Sequence, residues 1–186
     1  PYSDADMGRV VLGENHQVLV DIVGGDAFDI GHVFTIACLD GILGVAALGS
    51  LCNDNNKGTG VTCGYTSNYI LMAEETMSHE IGHQFAASHS WNYCSPVDPQ
   101  NPDDDPNVDE NRSASTAFEP GSGSTIMSYA GVCIAGQNVK FVNDTYFHIG
   151  SHIQMFNHQQ TDNVSDCGDI VTMQNEYPEV SVKYVD

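Results

Sequence analysis

Residues 70–89 read ILMAEETMSHEIGHQFAASH, and the reading of that stretch decides the fold. At 3.6 residues per turn Ile70, Ala73, Met77, Ile81 and Phe85 fall within about 120° of one another, which predicts an amphipathic helix with one core-facing apolar stripe. His79 and His83 lie one turn apart on nearly the opposite side and are expected to face a cleft. Two imidazoles at i and i+4 can bind one zinc ion and leave Glu80 beside it. His89 follows in the same stretch, and three ligands with one open position is the pattern of catalytic zinc (Zn2+) sites.

In such a site Glu80 is the candidate general base. It would take a proton from a metal-activated water attacking a peptide carbonyl and hand that proton to the leaving amine. The competing reading makes Glu80 a solvated helix residue and the histidines polar surface positions. The run His79-Glu80-Ile81-Gly82-His83-Gln84-Phe85-Ala86-Ala87-Ser88-His89 resembles the extended metzincin zinc motif, HExxHxxGxxH. Downstream, Ser124-Thr125-Ile126-Met127-Ser128-Tyr129 resembles the metzincin Met-turn. By that resemblance Met127 is structural, a hydrophobic floor under the zinc site and not a ligand.

Within the metzincins the likeness is to bacterial reprolysin-like (adamalysin-related) peptidases. It rests on Asp29-Ile30-Gly31-His32-Val33-Phe34, Gly44-Val45-Ala46, Lys57-Gly58-Thr59-Gly60-Val61-Thr62 and Glu119-Pro120-Gly121-Ser122-Gly123-Ser124, and spans most of residues 10 to 155. The resemblance implies an α+β fold, with a mixed twisted sheet and the active-site helix at the cleft and an irregular lower lobe carrying the Met-turn and a C-terminal helix. It also implies an edge strand within Gly44 to Leu51 that pairs with an extended substrate. One catalytic domain over residues 1–186 is expected, with the upper lobe about 1–88 and the lower lobe about 89–186.

One position and one length depart from the family pattern, and one residue has a contested role. Ala86 stands where the motif has Gly, at a turn out of the helix often built with positive φ, which costs a non-Gly residue about 1–2 kcal/mol. Only 78 residues precede His79, fewer than adamalysin-type domains generally have, so either a leading segment is missing or the form is compact. Tyr129, two residues after Met127, matches a tyrosine that binds zinc or stabilises the oxyanion in astacin-like and serralysin-like metzincins. Reprolysin-like enzymes do not generally use one, and packing beside the cleft wall is the favoured alternative.

Elsewhere the patterns are weaker. A helix is expected over roughly Asn15 to Val23, with strands at Asp29 to Phe34 and Gly44 to Leu51. The Asn-, Gly- and Lys-rich stretch from Cys52 to Gly64 reads as loop, with Cys52–Cys63 as a candidate staple. Residues 95 to 123 read as a long surface excursion. A second amphipathic helix is expected from about Asn143 to Gln159, with Tyr146, Ile149, Ile153 and Phe156 as its apolar stripe. His148 and His152 repeat the i, i+4 spacing but lack a neighbouring carboxylate in the right place and read as a solvated face. His16, His32 and His158 have no partner in sequence, and His32 reads as a structural histidine.

The 25 acidic and five basic residues give a net charge of -20, which argues against nucleic acid, whose phosphates need clustered Lys and Arg. Asp98 to Glu110 holds enough carboxylates for a calcium (Ca2+) site, though without EF-hand spacing, and a solvated acidic loop is favoured. Six cysteines lack zinc-ribbon spacing and read as disulfides, of which 15 pairings are formally open. Cys94–Cys133 is the favoured bridge because its ends flank the third histidine and the Met-turn. Disulfides imply an oxidising compartment, hence a secreted protein. Sequons at Asn111, Asn143 and Asn163 matter only where the source glycosylates. No apolar run approaches the ~20 residues of a membrane span, and the N-terminus has no signal core.

The reading that unites these features is a secreted, monomeric zinc endopeptidase acting on extended protein or peptide substrates. Its specificity pocket is expected between the active-site helix and roughly Ala130 to Gly136. Two rivals keep parts of it: a catalytically inactive metzincin-fold binding module, and a zinc hydrolase of a non-peptide substrate.

Overall fold

The computed structural model describes residues 1–36, 38–64, 69–94, 111–134, 136–161, 164, 167 and 168, with the backbone alone for 69–74. Helix α1 (Gly8–Val23) leads through a 3-10 turn (Gly25–Ala27) to strands β1 (Val33–Thr35), β2 (Gly44–Ala46) and β3 (Gly60–Cys63), followed by helices α2 (Tyr69–Gln84) and α3 (Ile149–Gln159). The sheet order is β1-β3-β2, with β1 parallel and β2 antiparallel to β3, so the α+β class and the mixed sheet hold.

Side-chain alternation divides the sheet between two helices. On one face Val61 and Cys63 pack with Val11 of α1 and Cys38, flanked by Val33, Val45 and Ile42. On the other face Gly60 and Thr62 meet the α2 side, where His32 bonds Gln84 Oε1 at 3.2 Å and Thr62 Oγ1 at 2.8 Å. His32 is thus a satisfied structural histidine.

The face of α2 turned to the sheet differs from the expected apolar stripe. Glu80 and Gln84 are buried, while Met77, Ile81 and Phe85 are only half-buried; the side chains of Ile70 and Ala73 lie outside the described residues. The reason is local crowding: a Cβ on Gly44 would stand 2.6 Å from Glu80 Oε1, and one on Gly60 would stand 2.5 Å from Gln84 Oε1. The small residues of the sheet seat long polar side chains from the helix, and hydrogen bonds to Gly31 O and Ser50 Oγ satisfy Gln84.

Other expectations are corrected. Helix α1 begins at Gly8, seven residues earlier than expected, because the Asp40 carboxylate accepts from Gly8 N at 3.1 Å and Arg9 N at 3.0 Å and so caps the first turn from a distance. The stretch read as loop from Cys52 to Gly64 contains the fully buried central strand β3. Cys63 therefore bridges Cys38, and Cys52 bridges Cys167, in place of a Cys52–Cys63 staple; Cys94–Cys133 forms as expected. The two predicted strands shorten to Val33–Thr35 and Gly44–Ala46.

Helix α3 starts at Ile149 and not near Asn143, because the preceding residues run beside the 124–127 turn: Asp144 N donates to Ser124 O and Ile126 N to Tyr146 O. Its expected stripe is not core. Tyr146, Ile149, Ile153 and Phe156 are all more than half exposed, while Gly150, Ser151, Gln154 and Met155 make the inward contacts. Residues 116–123 are no surface excursion either, since Thr116, Glu119 and Ser122 are buried. The acidic run Asp98 to Glu110 and the sequon at Asn163 lie outside the described residues.

Candidate metal centre

Helix α2 presents His79 and His83 from its last turns, and the chain then reverses sharply to return His89. Ala87 N bonds Gly82 O and Ala86 N bonds His83 O, a Schellman ending in which Ala86 takes φ 70°. This is the left-handed turn expected at that position, made by Ala at the cost of some strain. It is followed by Ser88, whose N–H is held by Gln154 Oε1 of α3 at 2.9 Å.

The three imidazoles converge. His79 Nε2 and His83 Nε2 lie 3.2 and 3.1 Å from His89 Nε2. Each Nδ1 points away to a backbone carbonyl: His79 to Ile126 O at 2.7 Å, His83 to Ala87 O at 2.7 Å and His89 to Asn111 O at 2.6 Å. A carbonyl only accepts, so each Nδ1 carries the proton and each Nε2 turns a lone pair to the common centre. Three lone pairs facing one another are repulsive unless a cation lies between them. Burial, reinforced by the neighbouring rings, holds His79 well below the usual imidazole range and His83 at about 4, and burial lowers His89 too. A proton is therefore a poor occupant, whereas a divalent ion with a preference for neutral imidazole fits the donor set.

The three imidazoles open into a cavity of about 690 Å³ lined by residues that include Glu80, Tyr129, Val45 and Val132. Burial pushes the Glu80 carboxyl up to about 8. Glu75, also on this wall, is raised by partial burial. Tyr129 stacks on Trp91 with ring centroids 5.3 Å apart and meets His89 edge-on at 4.7 Å. Ala130 and Val132, from the stretch expected to wall the specificity pocket, line the same cavity, as does Asn143.

Met127 is fully buried with Ala87 and Ile126, and Gly82 is what lets it approach, because a Cβ there would stand 2.5 Å from Met127 Sδ. Strand β2 pairs with β3 on one side. Cys63 N donates to Leu43 O and Ala47 N to Thr59 O, so the alternation of an antiparallel ladder directs the backbone groups of Gly44 and Ala46 to the opposite edge.

Several features of the site had no signal in the zinc motif. The three carbonyl anchors come from positions 87, 111 and 126, and no side-chain pattern marks them. Gly44 and Gly82 carry a faint signal, as glycines in otherwise regular elements. Glu119 is a buried carboxylate in a run of small residues. Burial alone would raise it, but the Ser90 and Thr125 hydroxyls and the Ser124 and Thr125 N–H groups outweigh that and hold it below the usual carboxylate range. Asp29, Cys52 and Cys167 also lie close together, but both sulfurs are spent in a disulfide and leave no thiolate for a metal. His148 and His152 take no part in the centre.

A family model described as metallo-peptidase family M12B, reprolysin-like, matches residues 3–156 and so covers both α2 and the 124–129 turn.

Proposed function

Since the chain belongs to the reprolysin-like M12B metallopeptidase family, we propose that it is a secreted, zinc-dependent endopeptidase in which His79, His83 and His89 hold the metal and Glu80 is the general base. The observation that carries this reading is the convergence of three Nε2 lone pairs, each fixed by an Nδ1 bond to a carbonyl, at the floor of an open cavity. A zinc ion held there supplies the positive charge that acidifies a water in the cleft and keeps the Glu80 carboxyl ionised.

Glu80 then accepts the proton of the attacking water at a carboxylate oxygen and donates it to the amine of the departing peptide half. Being buried, that carboxylate is desolvated and correspondingly basic. An extended substrate adds to the open edge of β2 through the backbone groups of Gly44 and Ala46, with Leu43, Leu48, Ala130 and Val132 forming apolar walls. Met127 serves as the floor beneath the ligand helix, in a single two-lobed domain with the upper lobe about 1–88 and the lower about 89–186. Tyr129 is foremost a wall residue, packed on Trp91 and His89; its hydroxyl is the candidate donor to the oxyanion, and Tyr129→Phe separates the two roles.

Export agrees with three disulfides, which persist in oxidising compartments. No helix among the described residues is long and apolar enough to cross a membrane. The test is zinc content together with casein cleavage for the wild type and Glu80→Ala. Bound zinc in both, with cleavage in the wild type alone, is expected. Zinc in both with cleavage in neither would favour the inactive binding module, and a folded wild type without zinc would overturn the reading.

A further inference from the structure

The zinc reading leaves Glu119 without a role, although it is the most heavily hydrogen-bonded carboxylate among the described residues. It is 6% exposed, and among the described residues no Lys or Arg pairs with it. An unpaired buried anion is costly unless donors replace its water. Here the donors are complete: Oε1 accepts from Ser90 Oγ and Thr125 Oγ1, each at 2.5 Å, and Oε2 accepts from Ser124 N at 2.7 Å, Thr125 N at 3.0 Å and Ser124 Oγ at 3.4 Å.

These donors belong to two segments that meet at the metal centre. Ser90 directly follows His89. Thr125 directly precedes Ile126, whose carbonyl fixes the His79 tautomer at 2.7 Å. Backbone bonds join the same pieces, from Glu119 N to Ser90 O and from Ser90 N to Met127 O, both 2.9 Å. One carboxylate thus grips the peptide after one ligand and the peptide that orients another. A donor-rich cradle of this kind holds the peptide beside each histidine in one place, and metal affinity responds to such outer-shell orientation.

We propose that Glu119 is a positioning residue of the metal centre, clamping the Ser90 and Thr125 segments so that His89 and His79 present their Nε2 atoms to a common ion. The inference rests on the zinc reading above. Its charge is incidental and its acceptor geometry is the point. In Glu119→Gln the amide oxygen can take the two backbone N–H groups while its NH2 donates to the two hydroxyls, which can turn to accept. Glu119→Ala removes every side-chain contact and leaves the backbone bond to Ser90 O.

The experiment is zinc affinity by competition with a chromophoric chelator, run on samples whose circular dichroism shows the fold intact. Glu119→Ala is expected to bind zinc 10- to 100-fold more weakly, the range for loss of an outer-shell partner, and Glu119→Gln within about threefold of wild type. Should Glu119→Ala not fold, the double variant Ser90→Ala/Thr125→Val removes both Oε1 contacts from outside the carboxylate, and about a tenfold loss is expected. Wild-type affinity in the folded Ala or double variant overturns the proposal, and so does a Gln variant as weak as Ala. Those results leave the zinc reading standing, whereas a wild type that binds no zinc removes both.

Discussion

The chain carries two histidine pairs at the same spacing, His79–His83 on α2 and His148–His152 at the start of α3, and only the first belongs to a converging set of three imidazoles. The difference lies in what each Nδ1 meets. In the first pair both Nδ1 atoms donate to carbonyls, so both Nε2 atoms are free to ligate. In the second, His148 Nδ1 accepts from Gly150 N at 3.0 Å to cap α3, which places the proton of the neutral ring on Nε2, and the ring stacks on Phe118. His152 is exposed, edge-on to Phe147. Spacing brings two rings to one side of a helix; the partner of the far nitrogen decides whether they can hold a metal.

The largest effect that would break the contrast comes from deleting one member of each pair. His83→Ala is expected to lower zinc affinity by at least about 10³-fold and abolish peptide cleavage, because a three-ligand site loses a ligand. His152→Ala should leave both within about twofold. Equal losses, read by zinc titration and casein hydrolysis, would show that the comparison is wrong.

A second effect is acid sensitivity of the metal-free protein. The folded-state pKa of His83 is depressed from 6.5 to about 4, so between those values the unfolded chain binds a proton that the folded chain does not. Stability is therefore held above about pH 6.5 and lost as pH falls towards 4, by about 3 kcal/mol for this one residue. Urea midpoints across that range should fall for the wild type and fall less for His83→Ala.

Each histidine helix also has a glycine pressed against a side chain. A Cβ on Gly82 would meet Met127 Sδ at 2.5 Å, and one on Gly150 would meet the Phe118 ring at 2.2 Å. Both alanine variants should lose about 2 kcal/mol by overpacking. Gly82→Ala should also weaken zinc binding, and Gly150→Ala should not. The smallest difference is at the helix ends. Ala86→Gly should stabilise the protein by about 1 kcal/mol, since Ala86 holds φ 70°, whereas Gln160→Gly should give no gain, because Gln160 already sits at φ -91°.

The motif was legible because its geometry is local. Helical periodicity put His79 and His83 on one side of α2, and the offset to His89 survived Ala86 because Ala accepted the strained turn. Strand β3 was not legible: Gly60–Cys63 is four residues inside a stretch rich in Asn and Gly, and what makes it a strand is burial between α1 and α2. The disulfide of Cys63 followed from that error, since proximity in sequence favoured Cys52 while the sheet brought Cys38 alongside. The apolar positions of α3 formed a convincing stripe, yet Gly150, Ser151, Gln154 and Met155 face inward, because close approach to the ligand loop favours small residues and a polar contact to Ser88 N.

By itself the sequence determined the donor types, their order and the helix that carries two of them, because side-chain chemistry and the 3.6-residue turn are properties of a short segment. The tertiary structure alone decided the tautomer of each converging imidazole, the close seat of Met127 against Gly82 and of Glu80 against Gly44, and the hydrogen-bond cradle of Glu119. Those depend on carbonyls and hydroxyls brought together from distant parts of the chain. Backbone groups are the same at every position, so only their placement distinguishes one from another.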